Sequence, residues 1–122
     1  MQAVWVEIPV KDLERALAFY QAVFEFAPAE TLDDGTRRTI TLVNTSPEGR
    51  PGISLNQTAN FEPSRTGTLV YLDTGEDLTA HLRRIEPAGG SVVEPKTSMG
   101  DAGNYATFID SEGNLLALYS YG

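Results

Sequence analysis

The sequence predicts an α+β fold of two βαβββ modules forming a cupped, mostly antiparallel sheet with the helices outside. Three observations carry that expectation. An alternating run, an acidic helix start and an amphipathic helix follow one another from Val6 to Tyr20. The same order recurs from Val70 to Ile85, about half a chain later. Each copy is followed by short strand-like segments separated by turn residues. A repeat this long fits two modules that bury their sheets together better than a solenoid of short units.

In the first module, Val6, Ile8 and Val10 alternate with Trp5, Glu7 and Pro9, the pattern of a strand with one apolar face. Asp12 is a good N-cap, and Leu13, Leu17, Tyr20 and Phe24 recur at helical spacing behind it. That helix is expected to cover the Val6/Ile8/Val10 face. Asp33, Asp34 and Gly35 mark a turn between a strand near Ala27 to Leu32 and one near Arg37 to Val43. Pro47 to Gly52 reads as loop and Gly52 to Gln57 as a short strand. Asn60 to Thr66, with Pro63 and Ser64, reads as the linker.

The second module is expected to give a strand from Thr68 to Asp73 and a helix from Asp77 to about Ile85, ended by Gly89 and Gly90. A strand starts at Ser91 to Val93, and Ser98 to Gly103 reads as a Gly-containing loop suited to a flap. Two strands, near Asn104 to Ile109 and Leu115 to Tyr119, are joined by the turn from Asp110 to Asn114. The expected organisation is one domain over residues 1–122, with module one at about 1–60 and module two at about 66–122.

Composition narrows the function. The 122-residue chain can bury a real core, though either half alone would be marginal. Its formal net charge of −8 repels a nucleic-acid backbone or an anionic membrane. The basic doublets Arg37-Arg38 and Arg83-Arg84 are too small to offset that charge. Absence of cysteine removes disulfides, thiolate catalysis and thiolate metal sites. No apolar run approaches the ~20 residues that span a bilayer, and a cytoplasmic location is the expectation.

Asp12 to Tyr20, Gly89-Gly90, and Asp110-Ser-Glu-Gly-Asn114 before an apolar strand together resemble the glyoxalase/bleomycin-resistance superfamily, the vicinal-oxygen-chelate proteins. The opening Val4 to Val10 and the segment Gly103 to Asp110 look like the branch related to lactoylglutathione lyase. The resemblance covers nearly the whole chain and implies the fold, which hosts lyases, isomerases, dioxygenases and metal-free drug-binding proteins. It also implies a test. Metal-dependent members take one ligand from the first strand and a Glu from the last strand of each module. Carried onto this chain, those positions fall on Trp5, Ser54, Leu69 (or Thr68) and Ala117. Indole, hydroxyl, isobutyl and methyl groups make no first shell for zinc, nickel or iron. The expectation is therefore no metal and no cofactor.

The sole histidine, His81, lies inside the second helix and reads as a surface or helix–sheet packing residue. Asp110 and Glu112 read as a turn-forming Asp and a solvated Glu at least as well as they read as ligands. Alternation lists what faces the cup: Trp5, Glu7, Pro9, Ser54 and Asn56 from module one, and Leu69, Tyr71, Asp73, Ala117 and Tyr119 from module two. Tyr105 or Ala106 joins them, depending on the pleat. An aromatic-rich, mostly uncharged lining suits an apolar or aromatic organic ligand held by a few polar groups. The same aromatics would also fill the cup or a dimer seam.

Glu7, set between Trp5 and Tyr71, is the candidate general base, because partial desolvation would raise its pKa. It would equally orient a ligand amine or pair with an arginine such as Arg38. The favoured reading is a metal-free small-molecule-binding protein forming a homodimer. The alternatives are a lyase, isomerase or dioxygenase-type enzyme using Glu7 or an atypical metal site, and a ligand-free accessory dimer module.

Overall fold

The structure, a computed structural model, describes residues 1–26, 30–42 and 52–122. Module one runs β1 (Trp5–Pro9), α1 (Leu13–Phe24), β2 (Thr31–Asp33), β3 (Arg37–Leu42) and β4 (Gly52–Thr58). Module two runs β5 (Tyr71–Asp73), α2 (Thr79–Ile85), β6 (Ser91–Ser98), a 3₁₀ turn (Gly100–Ala102), β7 (Asn104–Ile109) and β8 (Leu115–Ser120). The described strands form two four-stranded sheets, ordered β1-β4-β3-β2 and β5-β8-β7-β6. In each sheet the first strand pairs parallel with the last and the other pairs are antiparallel. The two βαβββ modules are thus present, but as two separate sheets and not as one closed cup.

Helix α1 starts where its chemistry predicts. Asp12 has extended backbone (φ −137°, ψ 105°) and its carboxylate accepts the Arg15 amide at 3.0 Å, satisfying one of the unpaired donors of the first turn. Its buried face is Leu13, Ala16, Phe19, Tyr20 and Val23, wider than the Leu13/Leu17/Tyr20/Phe24 stripe that spacing suggests. The extra width has a cause, because α1 packs on both modules. On its own sheet it covers Ile8, Val10, Ile40 and Leu55, while Phe19 stacks on Phe108 of β7 at 6.2 Å. Gly90 permits this approach, since a Cβ there would stand 2.4 Å from the Ile109 carbonyl and 2.8 Å from the Phe19 ring. One apolar cluster therefore runs through both modules.

Several boundaries differ from the sequence reading. β5 begins at Tyr71, not Thr68, although the Ala117 amide still donates to the Val70 carbonyl. α2 begins at Thr79; Asp77 caps the turn before it, accepting the Thr79 amide and hydroxyl at 2.9 and 2.7 Å. β2 begins at Thr31, and residues 27–29, which the reading gave to its start, lie outside the described residues, as do Val43 and the expected loop up to Gly52. The Asp33–Gly35 turn is as expected: Asp33 accepts the Gly35 amide, and Asp34 accepts those of Thr36 and Arg37. The Ser98–Gly103 segment is no free flap. Its 3₁₀ turn is closed by Met99 N–H donating to Gly103 O, and the Tyr119 hydroxyl donates to Ala102 O.

Candidate functional site

The pleat decides which residues share a face. Across sheet one, Glu7 pairs with Ser54 and Ser54 with Thr41, while Pro9 pairs with Asn56 and Asn56 with Thr39. This is the face turned from α1, and its side chains form one polar chain. The Thr39 hydroxyl donates to Asn56 Oδ1 at 2.9 Å, and Asn56 Nδ2 donates to Ser54 Oγ at 2.9 Å. The Arg37 guanidinium donates to Glu7 at 3.2 Å and lies 3.5 Å from Asn56 Oδ1. Ser54 and Asn56 are wholly buried, whereas Glu7 and Trp5 are exposed. Arg37 and Thr39 belong to this chain and were missed; their alternation along β3 was the available signal.

Glu7 departs from its expected role in two respects. Its arginine partner is Arg37, because β3 turns alternate residues to opposite faces and sends Arg38 to Glu14 and Gln57. Its carboxylate is also exposed and ion-paired, so the burial between Trp5 and Tyr71 that a general base would need is absent. Trp5 lies instead against its own sheet, with its ring over Gly52, where a Cβ would come within 2.2 Å of Cζ3.

Sheet two resolves the β7 pleat. Tyr105 faces the open side and Ala106 the core, where it is fully buried. Tyr71 pairs with Ala117 and Ala117 with Thr107; Asp73 pairs with Tyr119 and Tyr119 with Tyr105. The Tyr71 and Tyr105 rings meet edge-on at 6.3 Å. Glu94 of β6 joins them, accepting the Tyr105 hydroxyl at 3.0 Å and lying 3.4 Å from Thr107 Oγ1. The hydrogen bond to Glu94 keeps the Tyr105 hydroxyl protonated to higher pH than an ordinary phenol. Leu69 precedes β5 and is only half-buried.

The expected cup residues therefore sit in two sets: Trp5, Glu7, Ser54 and Asn56 on sheet one, and Tyr71, Tyr105, Ala117 and Tyr119 on sheet two. Polar contacts between the modules run elsewhere, through the 110–114 turn and the helices. The Asn114 side chain donates to Pro9 O, the Tyr20 hydroxyl to Asp110, and the Arg84 guanidinium to Val23 O. A groove of about 580 Å³ lies at the tip of the β2–β3 hairpin, lined by Lys11, Thr36, Arg37, Arg38, Gln57 and Glu62 among others.

Three further sequence readings need correction. Glu112 is not solvated: its side chain is fully buried and accepts the Lys11 and Asp12 amides and the Arg15 guanidinium. Asp110 is more than a turn former, because it is buried and also accepts from Tyr20. His81 is buried, not at the surface, and packs on Phe24 of α1 at 5.4 Å, a helix–helix contact.

Residues 2–118 match the family model described as Glyoxalase/Bleomycin resistance protein/Dioxygenase superfamily. The chain belongs to that superfamily. A glyoxalase I variant from Zea mays superposes with a TM-score of 0.76 at 21% identity, over 95% of this chain and 45% of the maize chain. This chain thus spans less than half the length of the maize protein. A glyoxalase/bleomycin resistance protein from Albidiferax ferrireducens gives 0.69 at 19% identity over 95% of both chains. A fosfomycin resistance protein from Listeria monocytogenes gives 0.68 at 19%, over 98% of this chain and 90% of that one. At these identities the likeness is one of fold. No curated protein sequence matches the chain.

The superfamily includes metal-dependent members, so the donor set can be tested directly. Trp5, Ser54, Leu69 and Ala117 offer a single hydroxyl among them, and Asn56 Nδ2 already donates to it. Among the described residues, no group of three or more His, Asp or Glu side chains is placed to hold an ion. These side chains do not fit the superfamily's metal.

Proposed function

We propose that this superfamily member is a metal-free small-molecule-binding protein whose ligand seat is lined by the open faces of its two sheets. The observation that carries the reading is the substitution of indole, hydroxyl, isobutyl and methyl groups at all four metal-ligand positions, beside exposed aromatic side chains on both faces. Trp5 and Tyr71 are 47% and 49% exposed, and each lies on an edge strand of its sheet. Together with Tyr105 and Tyr119 they give flat apolar contact and Glu7 supplies an exposed polar anchor, with the buried Ser54 and Asn56 behind it, the composition expected of an organic-ligand site. In this reading a homodimer completes the seat, because unpaired edges and apolar faces need a partner and a second copy supplies complementary ones.

The test combines three measurements. Protein purified without chelator is expected to contain no stoichiometric Ni, Zn, Fe or Mn by elemental analysis. A thermal-shift screen of aromatic metabolites and antibiotics is expected to return a ligand that changes Trp5 fluorescence, with Trp5→Ala weakening it by about 1–3 kcal/mol. Sedimentation is expected to give a dimer at micromolar protein. One tightly held divalent ion per chain, lost in Glu7→Ala, would overturn the reading in favour of a metalloenzyme.

A further inference from the structure

We infer that the open face of sheet two is a seat for an organic cation, an ammonium or guanidinium group, which pairs with Glu94 and lies against the rings of Tyr71 and Tyr105. The inference rests on the small-molecule reading above and gives that ligand a charge.

The backbone of β6 is built to present Glu94. Its pairing with β7 slips twice, between Val92 and Glu94 and again between Glu94 and Thr97. Val92 sits opposite Phe108, on the core side. Strict alternation from Val92 would turn Glu94 to that side as well. The first bulge sets Glu94 opposite Thr107 instead, and so delivers its carboxylate to the open face. A bulge that re-aims one charged side chain onto an aromatic surface has no use in the core.

The carboxylate is held but not consumed. Tyr105 donates to one oxygen at 3.0 Å, Thr107 Oγ1 lies 3.4 Å from the other, and the Glu94 amide donates to Thr107 Oγ1 at 3.1 Å. A carboxylate has about four acceptor positions, so two directions remain for a ligand donor. Among the described residues no cation pairs with it; the two cations paired on module two, Lys96 and Arg84, go to Asp77 and Glu25. Beside it the Tyr71 and Tyr105 rings are edge-on at 6.3 Å, offering ring faces that attract a cation through their quadrupoles. Asp73 adds a carboxylate along the same face, and the net charge of −8 draws cations and repels anions. A carboxylate or phosphate ligand would meet repulsion here and no basic partner among the described residues of this face.

The experiment titrates the whole protein calorimetrically with three probes of one shape class: benzyltrimethylammonium, 2-phenylethanol and phenylacetate. The cation is expected to bind at least tenfold tighter than either other probe and to weaken as salt rises. Glu94→Gln is expected to abolish that preference, and Tyr71→Ala to weaken the cation about fivefold. Tyr105→Phe keeps the ring and drops one bond to Glu94, so it should change affinity less than threefold. All three sites are solvent-accessible, and matching circular dichroism melts check the fold. Equal binding of the neutral or anionic probe, or a preference that survives Glu94→Gln, overturns this inference and leaves the small-molecule reading standing. Failure of all three probes, with no hit in the thermal-shift screen, overturns both.

Discussion

Arg15 and Glu112 meet in a two-point contact, Nε to Oε2 at 2.7 Å and Nη2 to Oε1 at 2.9 Å, which fastens the start of α1 to the β7–β8 turn of the other module. The same carboxylate accepts the Lys11 and Asp12 amides, both at 2.9 Å. Those amides lie at and just before the N-cap of α1, at the helix end where negative charge is favoured. One side chain thus caps a helix and latches two modules.

That contact sets an acid limit on stability. Burial alone would push the Glu112 carboxyl up, but the Arg15 guanidinium, the Lys11 and Asp12 amides and the Ser111 hydroxyl outweigh it and lower it from 4.5 to about 2. A carboxyl depressed on folding stabilises fully above its unfolded value and loses that contribution as pH falls through the folded one. The loss therefore falls between about pH 4.5 and 2 and amounts to roughly 2–4 kcal/mol. Glu112→Gln is expected to remove that limb and to cost a similar amount at pH 7, measured by urea denaturation at both pH values. A variant that unfolds at the wild-type midpoint at pH 7 would refute the latch.

Tyr20 and Asp110 form the second tie between the modules. The hydroxyl of the wholly buried Tyr20 donates to Asp110 Oδ2 at 2.7 Å, beside a donation from Asn114 Nδ2 at 3.0 Å. Tyr20→Phe keeps the ring and takes one donor from a buried carboxylate, so about 1–3 kcal/mol should be lost. Phe at this site with unchanged stability would mean that the remaining donors suffice.

What was legible in the sequence is what local chemistry decides. The Asp12 cap, the Asp33–Gly35 turn and the β1 alternation depend on residues a few positions apart. Each is present where the residues place it. Glu112 was misread because its partners Lys11, Asp12 and Arg15 lie about a hundred positions away. In isolation a Glu in a turn has no reason to be buried. Adjacent in sequence, Arg37 and Arg38 are told apart only by the β3 pleat, which sends Arg37 to Glu7 and Arg38 to Glu14. Glu94 is hidden in the sequence for a different reason. A bulge breaks the period-two rule on which facing residues were chosen, and no local signal besides Pro95 marks it.

His81 is expected to give a separate pH dependence at higher pH. Burial lowers its pKa below 6.5 and the Arg84 cation lowers it further, against weaker opposition from Glu76 and Glu25. Its Nδ1 is buried without a hydrogen-bond partner among the described residues. A base depressed on folding takes its proton more readily when unfolded, so stability is complete above about pH 6.5 and declines below it. It is the sole histidine, so this limb lies above that of Glu112 and the two are separable. His81→Leu should flatten stability between pH 7 and 5.5 and leave the lower limb intact. Retention of the upper limb in that variant would assign it to another group.

Gly52 tests the seat of Trp5 without touching the indole. The two residues are direct neighbours across the parallel β1–β4 pair, and the indole lies over the Gly52 Cα. The Cβ of Gly52→Ala would stand 2.2 Å from Cζ3 and 2.5 Å from Cε3, far inside contact distance. Backbone strain is not the issue, because Gly52 lies outside the positive-φ region. The obstacle is the ring alone, and Trp5, being 47% exposed, has solvent on one side into which it can swing. Gly52→Ala is therefore expected to fold with a modest loss, about 1 kcal/mol, taken from the lower part of the range for inserting a methyl group into a packed site. The displaced indole should emit at longer wavelength and be quenched more strongly by iodide than in the parent. If the ligand seat uses Trp5 where it now lies, the same variant should weaken a fluorescence-active ligand nearly as much as Trp5→Ala does. An unchanged emission maximum would show that the ring does not rest on Gly52, and an unchanged affinity would take Trp5 out of the seat.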